Sequence, residues 1–256
     1  DGATGQGTIA MEIFKELPTV DIILVPIGGG GLAAGVSTLA KLLNPNIKVI
    51  GVEPAGASCM KASLDAGKVV TLPNVETIAD GTAVKTPGDK IFQYIQKNID
   101  EIIAVEDEEL IVNFLDILEN HKMLVENSGL LTVAALKHLD CKGKRVVSIL
   151  SGGNMDIITL SSVVQHGLIA RGRVFTVAVQ LPDRPGELVN VADIIAKEKG
   201  NVIRLEHNQF VSINRNAAVE LRITLEAFGQ EHKNEILKAL RDKGYDAKEE
   251  TPTGMY

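Results

Sequence analysis

The stretch that decides the reading is Asp21–Leu43, "DIILVPIGGGGLAAGVSTLAKLL". Its first part, Ile22–Ile27, is a short continuous apolar run, as a parallel strand buried on both faces requires. Its last part, Leu32–Leu43, carries apolar residues at helical spacing. Between them stand four consecutive glycines, Gly28 to Gly31. Glycine loses more backbone freedom on folding than any other residue, so the run is costly to order. One or two glycines would be enough for a strand-to-helix turn. Four let successive N–H groups point at one anion, with the positive end of the following helix behind them. The run is neither a G-x-G-x-x-G fingerprint nor a P-loop, because no Lys-Ser/Thr follows. A phosphate cradle is the expectation.

Outward from this stretch, similar apolar runs at Val49–Val52, Ile102–Val105 and Val146–Leu150 alternate with helical patterns. The helices are expected at Thr8–Lys15, Leu32–Leu43, Ala57–Ala66, Asp89–Asn98, Asp107–Asn120, Gly129–Leu139 and Met155–His166. This βαβα order predicts an α/β domain with a mostly parallel sheet over residues 1–165. "HGLIARGR" then reads as a linker over 166–172. Beyond it come strand Val174–Gln180, helix Leu188–Lys199, strands Val202–Phe210 and Ala218–Leu225, helix Glu231–Lys243 and strand Asp246–Glu249. That is βαββαβ, a ferredoxin-like order, over 173–256.

"VVSILSGGNMDI" repeats the first architecture, with strand Val146–Leu150 running into Ser151, Gly152, Gly153 and Asn154. Alone it reads as a helix start capped by Ser151 or Asn154. Two glycine-rich turns at two strand ends suggest one shared ligand, and a hydroxyl beside a glycine pair can meet a ring nitrogen without adding charge. The net charge of −7 and the pI near 5.3, with no basic run, weigh against nucleic acid or an anionic membrane as partner. No apolar run reaches the roughly 18–20 residues of a membrane span. The two cysteines, Cys59 and Cys141, lack metal-ligand spacing and read as free thiols of a reducing cytoplasm. The histidines, among them His121, His138 and His207, form no cluster in the sequence.

"GQGTIAMEI", "VPIGGGGLAAGV", "GVEPAGA", "ETIADGTAVKTPG" and "LSGGN" occur here in an order that resembles the back two-thirds of the threonine ammonia-lyases (threonine dehydratases). These are pyridoxal-phosphate enzymes of fold type II, the tryptophan-synthase-β type. The resemblance runs from Gly5 to the end of the chain. It implies a partial tryptophan-synthase-β-like parallel-sheet domain that binds pyridoxal 5'-phosphate. The phosphate would be held by Gly28, Gly29, Gly30, Gly31 and Leu32, and Ser151 would bond the pyridine nitrogen. A hydroxyl there leaves the ring largely neutral, which favours prompt loss of a β-leaving group. In relatives a glutamate placed like Glu126 lies near the cofactor ring; a surface glutamate at a helix start is the plain alternative. Glu53 and Ala57 match part of a cation site of the related serine racemases. Cys59 stands where a third, oxygen ligand would be needed, so Glu53 reads as structural and no metal is expected.

The family's Schiff-base lysine lies in a Ser-x-Lys-x-Arg-Gly type sequence, and none occurs here. Lys41, Lys85 and Lys144 have no matching context. "DGAT" runs directly into "GQGT", which suggests that residues between Thr4 and Gly5 are absent and that the chain is a fragment. As it stands, it is expected to be catalytically inert.

"LPDRPGELVNVADIIAKEKGNV" resembles the opening of an ACT domain, an amino-acid-sensing module. The resemblance implies effector binding at Asp183, Arg184, Pro185 and Gly186; a plain Pro-Gly turn is the alternative. The implied parent converts L-threonine, with L-serine as a second substrate. A branched-chain amino acid would be its effector, and a homo-oligomer, dimer or tetramer, its assembly. Rival readings are a serine dehydratase or serine racemase, and a non-catalytic amino-acid-binding regulator.

Overall fold

In the structure, a computed structural model, residues 2–182, 184–208 and 219–252 are described. The chain divides into two compact units at Val163/Val164.

The first unit contains α1 (Gly2–Gln6), α2 (Thr8–Glu16), β1 (Ile22–Pro26), α3 (Gly31–Leu43), β2 (Lys48–Pro54) and α4 (Cys59–Ala66). These are followed by α5 (Asp89–Asn98), β3 (Glu101–Val105), α6 (Asp107–Asp116), α7 (Leu131–Ala134) and β4 (Val146–Ser148). The four strands form one sheet in the order β3-β2-β1-β4, and every pair is parallel. All five residues of β1 are buried, as its unbroken apolar sequence requires. Ile23, Val25, Ile27 and Val49 form a core with Ala10 of α2, Ala33, Ala34, Val36 and Ala40 of α3, and Phe92 and Ile95 of α5. The alanines keep α3 close to the sheet. Leu24 and Ile50 alternate onto the opposite face, where α7 packs against β1 and β2. The result is an α/β layered fold with a parallel sheet.

Some expected elements end differently. The helix expected over Asp107–Asn120 is α-helical only to Asp116 and closes through a wider π-turn, Ile117–His121, before Lys122 at φ 58°. The one expected over Gly129–Leu139 is broken into a 3-10 turn (Asn127–Leu130), the single turn α7 and a second 3-10 turn (Ala135–His138). The linker read over 166–172 is corrected: helix α8 spans Ile157–Ala170 and takes in His166 to Ala170. Gly167 weakens a helix without ending it, and the apolar Leu168 and Ile169 continue the pattern. The chain turns only at Arg171–Arg173, where the N–H of Arg173 bonds the Leu168 carbonyl at 2.8 Å.

The second unit contains β5 (Val174–Leu181), α9 (Glu187–Lys197), β6 (Asn201–Asn208), β7 (Val219–Glu226), α10 (Gln230–Asp242) and β8 (Asp246–Glu250). The last residues of the strand expected over Val202–Phe210 lie outside the described residues, as does Ala218. The sheet is antiparallel, in the order β6-β7-β5-β8. Phe175, Val177, Val179 and Leu181 alternate onto one face and meet Val191 and Ile195 of α9 and Ile236, Leu237 and Leu240 of α10. Among the described residues no helix is long and apolar enough to cross a membrane.

Candidate functional site

Parallel strands β1 and β4 are neighbours, with Ile22 opposite Val146 and Leu24 opposite Ser148. β2 lies on the other side of β1, so the chain's progression across the sheet reverses between β1 and β4. Ligands of open α/β sheets bind at such a reversal, outside the carboxyl ends of the strands. Both glycine-rich turns leave from there. Ile27 extends the β1–β2 ladder by one bond, its N–H to the Val52 carbonyl at 2.8 Å, and Gly28 follows. Ile149 does the same for β4 by bonding the Leu24 carbonyl at 3.1 Å, two residues before Ser151.

The N–H groups of Gly28, Gly29, Gly30, Gly31 and Leu32 have no acceptor among the described residues. Gly30 sits at φ +85° immediately before α3, a left-handed conformation that any side chain would strain. A Cβ on Gly30 would also lie 2.6 Å from Ile91 Cγ2 and 2.9 Å from Met60 Cε. A Cβ on Gly29 would meet nothing within 4 Å. The loop is therefore fixed from below at Gly30 and open above at Gly29.

Two further segments join the glycine turns. A Cβ on Gly28 would come within 2.9 Å of Thr82 Cα, so the loop rests directly on the backbone of Gly81 and Thr82. Gly81 in turn abuts Ser128 Oγ and Glu126 Oε1, at 3.0 and 3.4 Å from its virtual Cβ. Glu126 lies against the second turn: its N–H bonds the Gly152 carbonyl at 3.3 Å, and its Oε2 accepts the N–H of Asn154 at 3.2 Å. Gly152 has φ +81°, and a Cβ there would lie 2.2 Å from Glu126 Oε1. Gly129 packs on the Ser151 carbonyl so closely that a Cβ would come to 2.1 Å. Residues 28–32, 79–82, 126–129 and 151–154 thus form one chain of contacts. The Ser151 hydroxyl, partly buried, has no hydrogen-bond partner among the described residues. Gly29, Gly152, Gly153 and Asn154 are exposed, which leaves the site open on one side.

A sequence profile of the pyridoxal-phosphate dependent enzyme family matches residues 1–152, which carry the glycine cradle and the start of the Ser151 turn. The chain belongs to that family. It is 43 % identical over 244 residues to the L-threonine ammonia-lyase of Geobacter sulfurreducens, covering 94 % of this chain and 60 % of that protein. Among solved structures, the processed threonine deaminase isoform 2 of Solanum lycopersicum aligns with a TM-score of 0.59 at 38 % identity. That alignment covers 63 % of this chain and 48 % of the tomato chain. Maize serine racemase aligns at 0.58 and 37 %, over 64 % of this chain and 54 % of that one. The chain therefore spans about half to three-fifths of the length of these relatives.

The residues present fit the family's cofactor. Five unpartnered N–H groups at the start of a 13-residue helix suit a phosphate dianion. The unpartnered Ser151 hydroxyl at the neighbouring strand end suits a neutral ring nitrogen.

Other candidates fall elsewhere. Glu53 of β2 is fully buried, and its two oxygens accept the N–H groups of Met60 and Lys61 at 2.9 and 2.8 Å, capping α4. Burial pushes its carboxyl up to about 7, against the two N–H donors that pull it down. Burial, with Glu53 beside it, also pushes the Cys59 thiol up to about 11, so the sulfur stays protonated. Lys41 is held at the opposite end of the sheet by Asp100 and the Ile47 carbonyl. In the second unit Asp183 lies outside the described residues. Arg184, Pro185 and Gly186 border a cleft of about 300 Å³, with Leu181, Leu188 and His207. The sequence reading missed Gly81, Thr82 and Ser128 as site residues. The signal was present, since the long connection between α4 and α5 has a glycine-threonine pair and little regular structure.

Proposed function

We propose that the parent protein is a pyridoxal-phosphate-dependent threonine ammonia-lyase, which removes water from L-threonine and releases 2-oxobutanoate and ammonia. The observation that carries this is the pair of glycine-rich turns at the carboxyl ends of adjacent strands β1 and β4. The 43 % identity to an L-threonine ammonia-lyase supports the substrate.

When bound, the cofactor supplies an electron sink for the α-carbon of the amino acid. The chain's own part is binding and electrostatics. Gly28 to Leu32 would donate N–H groups to the phosphate, and the first turn of α3 would add positive potential. Ser151 would offer its hydroxyl to the pyridine nitrogen and leave that nitrogen uncharged, a setting suited to β-elimination chemistry. Glu126, held between Gly81 and Gly152, would flank the ring. The 256 residues contain no Ser-x-Lys-x-Arg-Gly sequence, so the chain alone is expected to bind cofactor without turnover.

The second unit is read as an ACT module. Its βαββαβ order and the Arg184–Gly186 turn beside the 300 Å³ cleft support this. Arg184 would take an effector carboxylate, and apolar Leu181 and Leu188 would take a branched side chain. Coupling of this kind is typically worth about 1–3 kcal/mol. A serine-directed activity is the second reading, favoured by the 37 % identity to maize serine racemase.

The test is steady-state turnover by the full-length protein, with 2-oxobutanoate and pyruvate measured separately. Faster release of 2-oxobutanoate from threonine is expected. Preferential turnover of serine, or no turnover of either with cofactor bound, would refute the assignment.

A further inference from the structure

The connection from Gly67 to Gly88 carries Gly81 and Thr82 to the glycine loop, and its hydrogen bonds show how it is held. It contains a single 3-10 turn, Asp80–Thr82. Irregular connections of this length in a compact domain usually serve a site. Upstream it is seated on Gly56: the N–H of Glu76 bonds the Gly56 carbonyl at 3.1 Å, and a Cβ on Gly56 would lie 1.7 Å from the Glu76 carbonyl oxygen.

The next anchors converge on Thr77 and Ile78. Asp107, the first residue of α6, accepts the Thr77 hydroxyl at 2.6 Å on one oxygen and the Ile78 N–H at 2.9 Å on the other. Thr77 Oγ1 also accepts the N–H of Ala79 at 3.1 Å. From the other side, Asn127 Nδ2 donates to the Ile78 carbonyl at 3.0 Å. Both polar groups of the Ile78 peptide are thereby fixed by side chains from two different elements. Asn127 is 5 % exposed, and its Oδ1 has no partner among the described residues, a burial penalty accepted to keep the amide on Ile78. Beyond the clamp the chain turns at Ala79–Thr82, closed by the Thr82 N–H and hydroxyl on the Ala79 carbonyl, both at 2.9 Å. There it meets Gly28.

We propose that Asp107 is a positioning residue for the cofactor cradle: with Asn127 it clamps Ile78 and so sets Gly81 and Thr82 as the shelf on which the Gly28–Gly31 loop rests. The proposal rests on the reading of that loop as a phosphate site. Asp107 touches no ligand itself; it acts through two residues of backbone. Losing it frees the shelf and lets the loop's N–H groups lose their common aim.

The test measures binding of pyridoxal 5'-phosphate and of pyridoxal, its unphosphorylated counterpart, to the whole chain, with hydrogen exchange over residues 77–84. For Asp107→Ala the expected result is faster exchange in that segment and an affinity for the phosphorylated ligand lower by about tenfold. Affinity for pyridoxal should change little. Asp107→Asn should restore most of the loss, since its Oδ1 can accept from Ile78 and its Nδ2 can donate to Thr77. Should Asp107→Ala not fold, the near-isosteric Thr77→Val carries the test, with a selective loss of a few-fold. Equal losses for both ligands, or unchanged affinity with faster exchange, would overturn the positioning role. Failure of the unaltered chain to prefer the phosphorylated ligand would instead overturn the reading of the loop.

Discussion

Gly29 and Gly30 are adjacent and chemically identical, yet alanine at the two positions should have opposite consequences. At Gly30 the backbone is left-handed, which costs a residue with a Cβ about 1–2 kcal/mol. The new methyl would also lie 2.6 Å from Ile91 Cγ2 and 2.9 Å from Met60 Cε, and overpacking of this kind typically costs about 1–3 kcal/mol. Gly30→Ala should therefore lower the stability of the first unit by about 2–5 kcal/mol, with or without ligand. At Gly29 the methyl meets nothing within 4 Å, and the residue is exposed. Gly29→Ala should leave stability within about 0.5 kcal/mol of the parent chain. The open space above Gly29 is where an anion bound to the loop would sit, so this variant should lose affinity for pyridoxal 5'-phosphate instead. Urea unfolding without ligand, paired with ligand titration, separates the two effects. Gly30→Ala within about 0.5 kcal/mol of the parent chain would refute the strain reasoning, and undiminished cofactor affinity in Gly29→Ala would refute the cradle.

Three further outcomes are expected. Glu53 has a carboxyl raised from 4.5 to about 7, so between those values the folded chain holds more protons than the unfolded one. Stability of the first unit should fall as pH rises through that window, by on the order of 3 kcal/mol, and level off above it. Glu53→Gln should flatten the curve of urea midpoint against pH. In the second unit, Lys233 is 7 % exposed and its ammonium meets the half-exposed Glu249 at 2.7 Å. Glu249→Ala leaves that ammonium buried without its partner, whereas Lys233→Met removes the charge and keeps the stem. Thermal unfolding should show the first variant as the less stable, by about 1–2 kcal/mol. Arg184→Ala should weaken binding of L-isoleucine or L-valine by about tenfold if a carboxylate sits at that turn; calorimetry in which the variant binds as tightly as the parent chain would exclude it.

What could be read from the chain itself was whatever is encoded locally. Unbroken apolar runs such as Ile22–Pro26 can only be strands covered on both faces, and the spacing of Leu32–Leu43 can only bury one stripe of a helix. Four glycines between them predict an anion site, because a strand-to-helix turn needs only one or two. Where local signals were mixed, the outcome differed from place to place: Gly167 did not end α8, whose apolar pattern continues past it, and Gly129 packs its 3-10 turn against the Ser151 carbonyl. The sequence left two readings of Glu126, and the fold places it between Gly81 and Gly152. The glycine-threonine pair of the Gly81–Thr82 shelf was a local signal, but its clamp by Asp107 and Asn127 had none. Their partners lie 30 and 49 positions away in the chain, and only the closing of the sheet brings them together. The sequence thus set the glycines of the loop, and the tertiary structure set where the loop lies, because direction in a loop comes from what the loop rests on.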